Sequence, residues 1–207
     1  MIFVIASNNK KKIEELSRIL FPLGIYAKTA EQLGKELDEV EETGTTFAEN
    51  AELKAKAACE KTGYPAIADD SGLMVDALGG RPGVYSARYA GENATDEQKI
   101  NKLLDEMFKS GSPDRDAHFE CVICCYFPNG EKIFATGRCD GTIGYAPRGT
   151  NGFGYDPIFF IEGNKTFAEI PERQKDLISH RGRALKELSQ KLKKNTAPNS
   201  RIFFKEV

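Results

Sequence analysis

Asp69 and Asp70 stand side by side in PAIADDSGL, residues 65–73, behind a short apolar run and ahead of a hydroxyl and a glycine. A single aspartate there caps a turn or a helix, because its side chain satisfies loose backbone N–H groups. Two in a row invite a further reading. A hard divalent cation such as Mg2+ takes oxygen ligands, commonly one or two carboxylates completed by waters and substrate phosphate. An Asp at the C-terminal end of a strand is also placed to activate a water. Glu41 and Glu42, in an upstream acidic stretch, offer a second source of carboxylate. The structural alternative has Asp69 capping a turn, Asp70 solvated, and Glu41 and Glu42 on a flexible loop.

Three other segments carry groups suited to a nucleotide. Ser7, Asn8, Asn9, Lys10, Lys11 and Lys12 lie between an apolar run and a helix-like pattern. Free N–H groups and the positive end of a helix dipole meet at such a place, which suits polyphosphate. The pattern GxxxxGK[ST] is absent, and an N-cap followed by a solvated charge run would use the same letters. In GTNGFGYDPIF, residues 149–159, glycines including Gly154 let backbone approach a ligand. Phe153 and Tyr155 offer flat surfaces for a base, and Pro157 is expected to hold Asp156 extended. A plain turn between strands is the alternative. In KDLISHRGRAL, Lys175 can serve phosphate as a point charge, and His180 and Arg181 offer donors for a keto oxygen or phosphate. These three are expected near the start of the last helix, where they could equally be a half-buried histidine and surface charges.

The elements that would position these groups are readable from periodicity. IFVIAS reads as a strand, and Ile13, Leu16 and Leu20 mark a helix stopped at Gly24. GIYAKTA gives a second strand, GKELDEVEETG an acidic stretch of low structure. Thr46 and Glu49 open a second helix as a capping box, with Phe47, Ala51, Ala55 and Ala58 on one face and Gly63 at its end. PAIADD is expected to be a strand ending at the aspartates, followed by a loop-rich segment with a short strand at most. Thr95 and Gln98 cap a third helix bearing Ile100, Leu103, Leu104 and Met107. Residues 117–138 read as a hairpin turning at PNG. A further strand is expected around GTIG, then a helix carrying Leu185, Leu188 and Leu192, with RIFFKEV as a closing strand. Strands and helices mix without strict alternation, so the expected class is α/β with a mixed sheet.

Bulk properties narrow the function. The 207 residues suffice for one sizeable core, as one domain or two lobes sharing a sheet. With 40% hydrophobic and 29% charged residues the composition is that of an ordinary globular protein. No apolar run approaches the roughly 20 residues of a membrane helix. The first residues reverse the order of a signal peptide, so a cytoplasmic location is expected. A net charge of −2 speaks against a general nucleic-acid binder. Cys121 and Cys124 have CxxC spacing, but on a strand residues three apart face opposite sides, and buried free thiols are expected.

Taken in order and spacing, SNNKKKIEEL, EETGTTFAENAELKAKAA, AIADDSGLMVDALGGRPGVYSARYAG, GFGYDPIF and SHRGRAL resemble the Ham1-like inosine triphosphate pyrophosphatase family. The resemblance implies one domain, 1–207, of two lobes around a long twisted mixed sheet with flanking helices, the active-site cleft between the lobes. It implies a homodimer that hydrolyses ITP, dITP and XTP to monophosphate and pyrophosphate with Mg2+. By motif, Ser7 to Lys12 would bind the triphosphate, and Asn8 stands where relatives often have Gly, Asn being a good substitute where a positive φ is needed. Asp70 matches the proton acceptor and a metal ligand, Ser71 a substrate contact, and Glu41 a metal-associated position, with Glu42 as the other register. Phe153, Gly154, Tyr155, Asp156, Lys175, His180 and Arg181 match the nucleotide-binding set, and Asn151 replaces a frequent Gly.

The implied mechanism has Mg2+ bridging phosphates and carboxylates while Asp70 deprotonates a water for in-line attack. Ser71 and Gly72 would let the chain turn beside the substrate. A donor from the His180–Arg181 region or the backbone would favour a 6-keto purine, since adenine would leave it unpaired. Two other classes stay open: a regulatory module that binds purine nucleotides without turnover, and a phosphatase releasing orthophosphate, although DxDx[TV] is missing.

Overall fold

The protein is described by a computed structural model covering residues 2–195. Its strands are β1 Ile2–Ile5, β2 Tyr26–Thr29, β3 Ala66–Val75, β4 Arg81–Pro82, β5 Asp116–Tyr126, β6 Lys132–Ile143, β7 Phe159–Ile161 and β8 Lys165–Thr166. Its helices are α1 Lys10–Leu20, α2 Phe47–Thr62, α3 Asp96–Ser110, α4 Glu172–Ile178 and α5 His180–Asn195, with short 3-10 turns between elements. The strands form a mixed sheet of order β2-β1-β3-β5-β6-β7-β8, with β4 beside β3. Strand β1 runs parallel to both β2 and β3, whereas β7 is antiparallel to β6 and β8. Among the described residues, no helix is long and apolar enough to cross a membrane.

The chain divides into two units. The first comprises the described residues up to Asp70, Cys121–Gly137 and those from Arg181 onward. Here side chains alternate across the sheet with the two-residue period of a strand. Phe3, Ile5, Ile67, Cys121, Ile123 and Cys125 pack with Leu16 and Leu20 of α1 and Leu185 and Leu188 of α5. Val4, Ala66, Ala68 and Cys124 pack on the other face with Ala51, Ala55 and Ala58 of α2. Both faces are covered, which is why IFVIA and PAIA read as unbroken apolar runs rather than alternating ones. Leu16 and Leu20 are fully buried, each a contribution of roughly 1.5–3 kcal/mol. Cys121 and Cys124 fall on opposite faces as expected, and all five cysteines are free and buried.

The second unit comprises Ser71–Glu120 and Arg138–His180. Its core joins Leu73 and Val75 of β3, Ile100, Leu103 and Met107 of α3, and Phe119, Phe159 and Phe167. Both expected capping boxes form, Thr46 with Glu49 and Thr95 with Gln98, and Gly63 and Gly111 end their helices in the left-handed region.

Three expectations about elements need correction. Strand β3 does not end at the aspartates but runs ten residues to Val75, because Leu73 and Val75 continue the buried alternation into the second core. No separate strand forms around GTIG; those residues complete β6, whose twelve residues reach Ile143. Lys175 does not lie on the last helix but on α4, which ends at Ser179 before α5 begins. The expected closing strand RIFFKEV, residues 201–207, lies outside the described residues.

Candidate functional site

In the first unit, Asn9 caps α1, its Oδ1 accepting the Lys12 N–H at 3.2 Å, while its own N–H donates to Ser7 Oγ at 3.2 Å. The first turn of α1 then carries Lys10, Lys11 and Lys12 and no acid. Three ammonium groups at the positive end of a helix oppose its dipole, and an anion relieves both. Asn8 is exposed, and its backbone does not take a positive φ; among the described residues Asn164 is the one non-glycine that does. Asn at 8 and at 151 therefore carries no backbone strain, and the special conformation expected at 8 is not needed.

The alternation of β3 resolves the paired aspartates. Asp69 follows Ile67 onto the α1 and α5 side, where Oδ2 lies 3.1 Å from Lys12 Nζ and accepts from Arg181 Nε at 3.1 Å and Nη2 at 2.9 Å. Arg181 Nη1 donates to Glu15 Oε2 at 2.7 Å. Burial alone would raise the Asp69 pKa, but Lys12, Arg181 and Lys54 outweigh it and hold the carboxyl well below the usual range. Arg181 is 1% exposed. The keto-oxygen or phosphate donor expected of Arg181 is thus a buried partner of Asp69 and Glu15, since a guanidinium at that depth needs carboxylates on its fork.

Asp70 follows Ala68 onto the α2 side. Its Oδ2 accepts from Asn50 Nδ2 at 3.2 Å, and its Oδ1 lies 3.6 Å from Lys54 Nζ, which also donates to Glu42 Oε1 at 2.6 Å. Burial raises the Asp70 pKa, with Lys54 and Lys12 opposing that rise and Glu42 adding to it. Asn50 Oδ1 accepts the Gly44 N–H at 2.8 Å, tying the acidic loop to α2. A Cβ at Gly44 would collide with Asn50 and Glu49. Of the two acids left open by the motif, Glu42 is joined to Asp70 through Lys54, while Glu41 is exposed to solvent. Of the two, Glu42 is therefore the acid that the structure brings beside Asp70. Two carboxylates meeting on one cation are the oxygen donors that Mg2+ takes with water and phosphate. No cluster of three or more His, Cys, Asp or Glu suited to a metal occurs among the described residues.

In the second unit, Ser71 is half-buried on β3. Gly72 does not turn the chain; a Cβ there would run into the Gly83 carbonyl and Ser86 Oγ, which accepts the Leu73 N–H at 2.9 Å. In the loop before β7, Gly149 and Gly152 take positive φ and lie against Ala168 backbone and the Asp156 carboxylate. Their lack of side chains serves the protein's own packing. Asp156 is not extended but opens a 3-10 turn with Pro157. It is 2% exposed, and its Oδ2 accepts from the Phe153 N–H at 2.8 Å and Lys175 Nζ at 2.6 Å. Lys175 Nζ also lies 4.9 Å from the Phe153 ring centre. The Gly154 N–H donates to Asp96 Oδ2 at 2.7 Å.

Tyr155 is 4% exposed, and its hydroxyl donates to the Ser86 carbonyl at 3.0 Å. Its ring belongs to the core of this unit, so the flat surface expected of it faces inward and Phe153 is left as the loop's half-exposed aromatic. His180 is buried and stacks on Phe119, centres 4.7 Å apart at 13°.

Three residues of the first unit escaped the sequence reading: Glu15, Asn50 and Lys54. Asn50 and Lys54 are four apart on α2, beside its alanine face, so polar groups at helical spacing on a buried stripe were the available signal. Glu15, buried between Ile13 and Leu16 in a helix otherwise rich in lysine, gave none.

The sequence model of the Ham1 family matches residues 3–191. Over 183 residues the chain is 50% identical to a dITP/XTP pyrophosphatase of Geobacter sulfurreducens, covering 88% of this chain and 92% of that one. It is 48% identical over 194 residues to a dITP/XTP pyrophosphatase of Shigella flexneri, covering 92% and 97%. Among solved structures, a HAM1 protein from Coxiella burnetii superposes with a TM-score of 0.85 at 43% identity, over 94% of this chain and 99% of that one. The Staphylococcus aureus Ham1 protein gives 0.82 at 46% identity, with the same coverage.

Proposed function

The chain belongs to the Ham1 family, and from that membership we propose that it hydrolyses the non-canonical purine nucleotides dITP, XTP and ITP to monophosphate and pyrophosphate. The observation that carries this reading is the pairing, within one unit, of a three-lysine helix start with the buried carboxylate of Asp70. Polyphosphate chemistry needs both a cationic cradle and a base. Asp70 takes a proton from the attacking water on Oδ1, since Oδ2 is committed to Asn50. Lys10, Lys11 and Lys12 face the phosphates and take up charge that moves onto the departing pyrophosphate, with Ser7, Asn8 and Asn9 adding donors. Glu42 and Asp70 would hold Mg2+, which supplies further neutralisation of the phosphate oxygens.

The second unit carries the other residues matched to nucleotide binding. Phe153 offers its face to the base, braced by Asp156 and Lys175, and Ser71 adds a polar contact. The amides of Phe153 and Gly154 are already spent on Asp156 and Asp96. A side-chain donor at a 6-keto oxygen, the role matched to His180 by motif, would favour hypoxanthine and xanthine, since adenine, with an amino group there, leaves such a donor unpaired. Tyr155 acts on this loop only by anchoring it. Tyr155→Phe leaves the buried Ser86 carbonyl without its donor and is expected to cost about 1–3 kcal/mol in urea unfolding. The same variant should leave KM for ITP within about twofold of the parent; a tenfold rise would make Tyr155 a base contact. A cytoplasmic homodimer completes the proposal.

The test is incubation with dITP, XTP, ITP, GTP and ATP, with and without Mg2+, scoring pyrophosphate and orthophosphate separately. Metal-dependent pyrophosphate from the first three and little from ATP is the expected result. Orthophosphate alone would indicate a phosphatase, and tight binding without turnover a regulatory module.

A further inference from the structure

Lys54 has no part in the residues matched by motif, yet its ammonium lies against both carboxylates of the candidate metal pair, 2.6 Å from Glu42 Oε1 and 3.6 Å from Asp70 Oδ1. Its side chain is only 17% exposed. We propose that Lys54 is the resident cation of the Glu42–Asp70 pair, offsetting part of its charge until a divalent ion arrives and competing with that ion for the same oxygens. The inference rests on those two carboxylates being the metal's protein ligands.

Lys54 is not needed to brace the acidic loop. That loop is held separately, by the Gly44 N–H on Asn50 Oδ1 at 2.8 Å and by the Thr45 and Thr46 N–H groups on Glu49 Oε2 at 2.7 and 3.1 Å. Losing the ammonium therefore leaves the carboxylates placed and removes one positive charge from between them. A placeholder and a brace predict opposite signs. Without a placeholder the pair attracts a divalent ion more strongly; without a brace the pair separates and binds it less.

The experiment is Mn2+ binding to the nucleotide-free full-length protein, followed by the loss of the free-ion electron paramagnetic signal, for the parent, Lys54→Met, Lys54→Arg and Asp70→Asn. Lys54→Met is expected to bind Mn2+ about tenfold more tightly, from Coulomb repulsion removed at short range. Lys54→Arg, which keeps the charge, should bind no more tightly than the parent, and Asp70→Asn more weakly. Thermal melts check that each variant folds, with Lys54→Gln replacing the Met variant if that one does not. Equal or weaker binding by Lys54→Met, with Asp70→Asn weakened, overturns the placeholder while leaving the metal pair intact. Unchanged binding by Asp70→Asn overturns the metal pair, and the placeholder with it.

Discussion

Asp70→Asn should fold like the parent and release pyrophosphate from ITP about a thousandfold more slowly, the usual scale for removing a general base. The amide has the same shape and keeps an oxygen for Asn50 Nδ2, so the α2 side of β3 stays packed. What it loses is basicity and one negative charge. Lys54 keeps Glu42 as its partner, so no buried cation is stranded. With Mg2+ saturating, so that the lost metal-ligand oxygen is made up by concentration, the triphosphate meets less repulsion, and KM should fall or hold while kcat collapses. A kcat within tenfold of the parent would remove Asp70 from the chemistry and leave it a structural neighbour of Lys54.

Arg181→Met should be the most destabilising single change in the first unit. The guanidinium binds Asp69 through Nε and Nη2 and Glu15 through Nη1, and all three residues are no more than 3% exposed. Removing one member strands carboxylates in the core, a cost of about 3–5 kcal/mol. Adding Glu15→Gln and Asp69→Asn to the same chain removes the stranded charges and should recover most of that loss. A urea midpoint that barely moves for the single variant would show that Lys12 alone suffices for Asp69. Acid adds an independent check. The folded pKa of Asp69 lies below its unfolded value of about 3.9. Its contribution to stability is therefore present above that value and is lost as pH falls through the acid range. The parent should lose stability as pH drops below about 5, and Arg181→Met should lose less over the same interval.

The helices were legible wherever capping and apolar spacing agreed, as at Thr46–Glu49 with Phe47, Ala51, Ala55 and Ala58. Strand ends were not. A doubly covered strand shows no alternation, so PAIADD looked complete at its charges, although Leu73 and Val75 carry the same strand into another core. The residue types of the site were equally visible, but their directions were not. Arg181 and Tyr155 both bear groups that recognise nucleotides, and both spend them inside the protein, on Asp69 with Glu15 and on Ser86. Nothing local distinguishes Glu41 from Glu42; the choice depends on Lys54, twelve residues further along. Asn50 and Lys54 gain meaning only when α2 is laid against β3, a long-range fact that helical spacing hints at without revealing.

The alternation along β3 has a consequence for how this chain can vary. Because neighbouring residues on an extended strand look in opposite directions, adjacent Asp69 and Asp70 are sorted into unlike surroundings by parity alone. One is locked among cations and the other is left basic, with no difference in their own chemistry. Lengthening or shortening the segment Ala66–Ala68 by one residue would exchange the two environments, as a one-place slip does to every side chain of a strand. A change of two would restore them. Substitution at these positions is thus a question of size and polarity, whereas insertion is a question of odd or even.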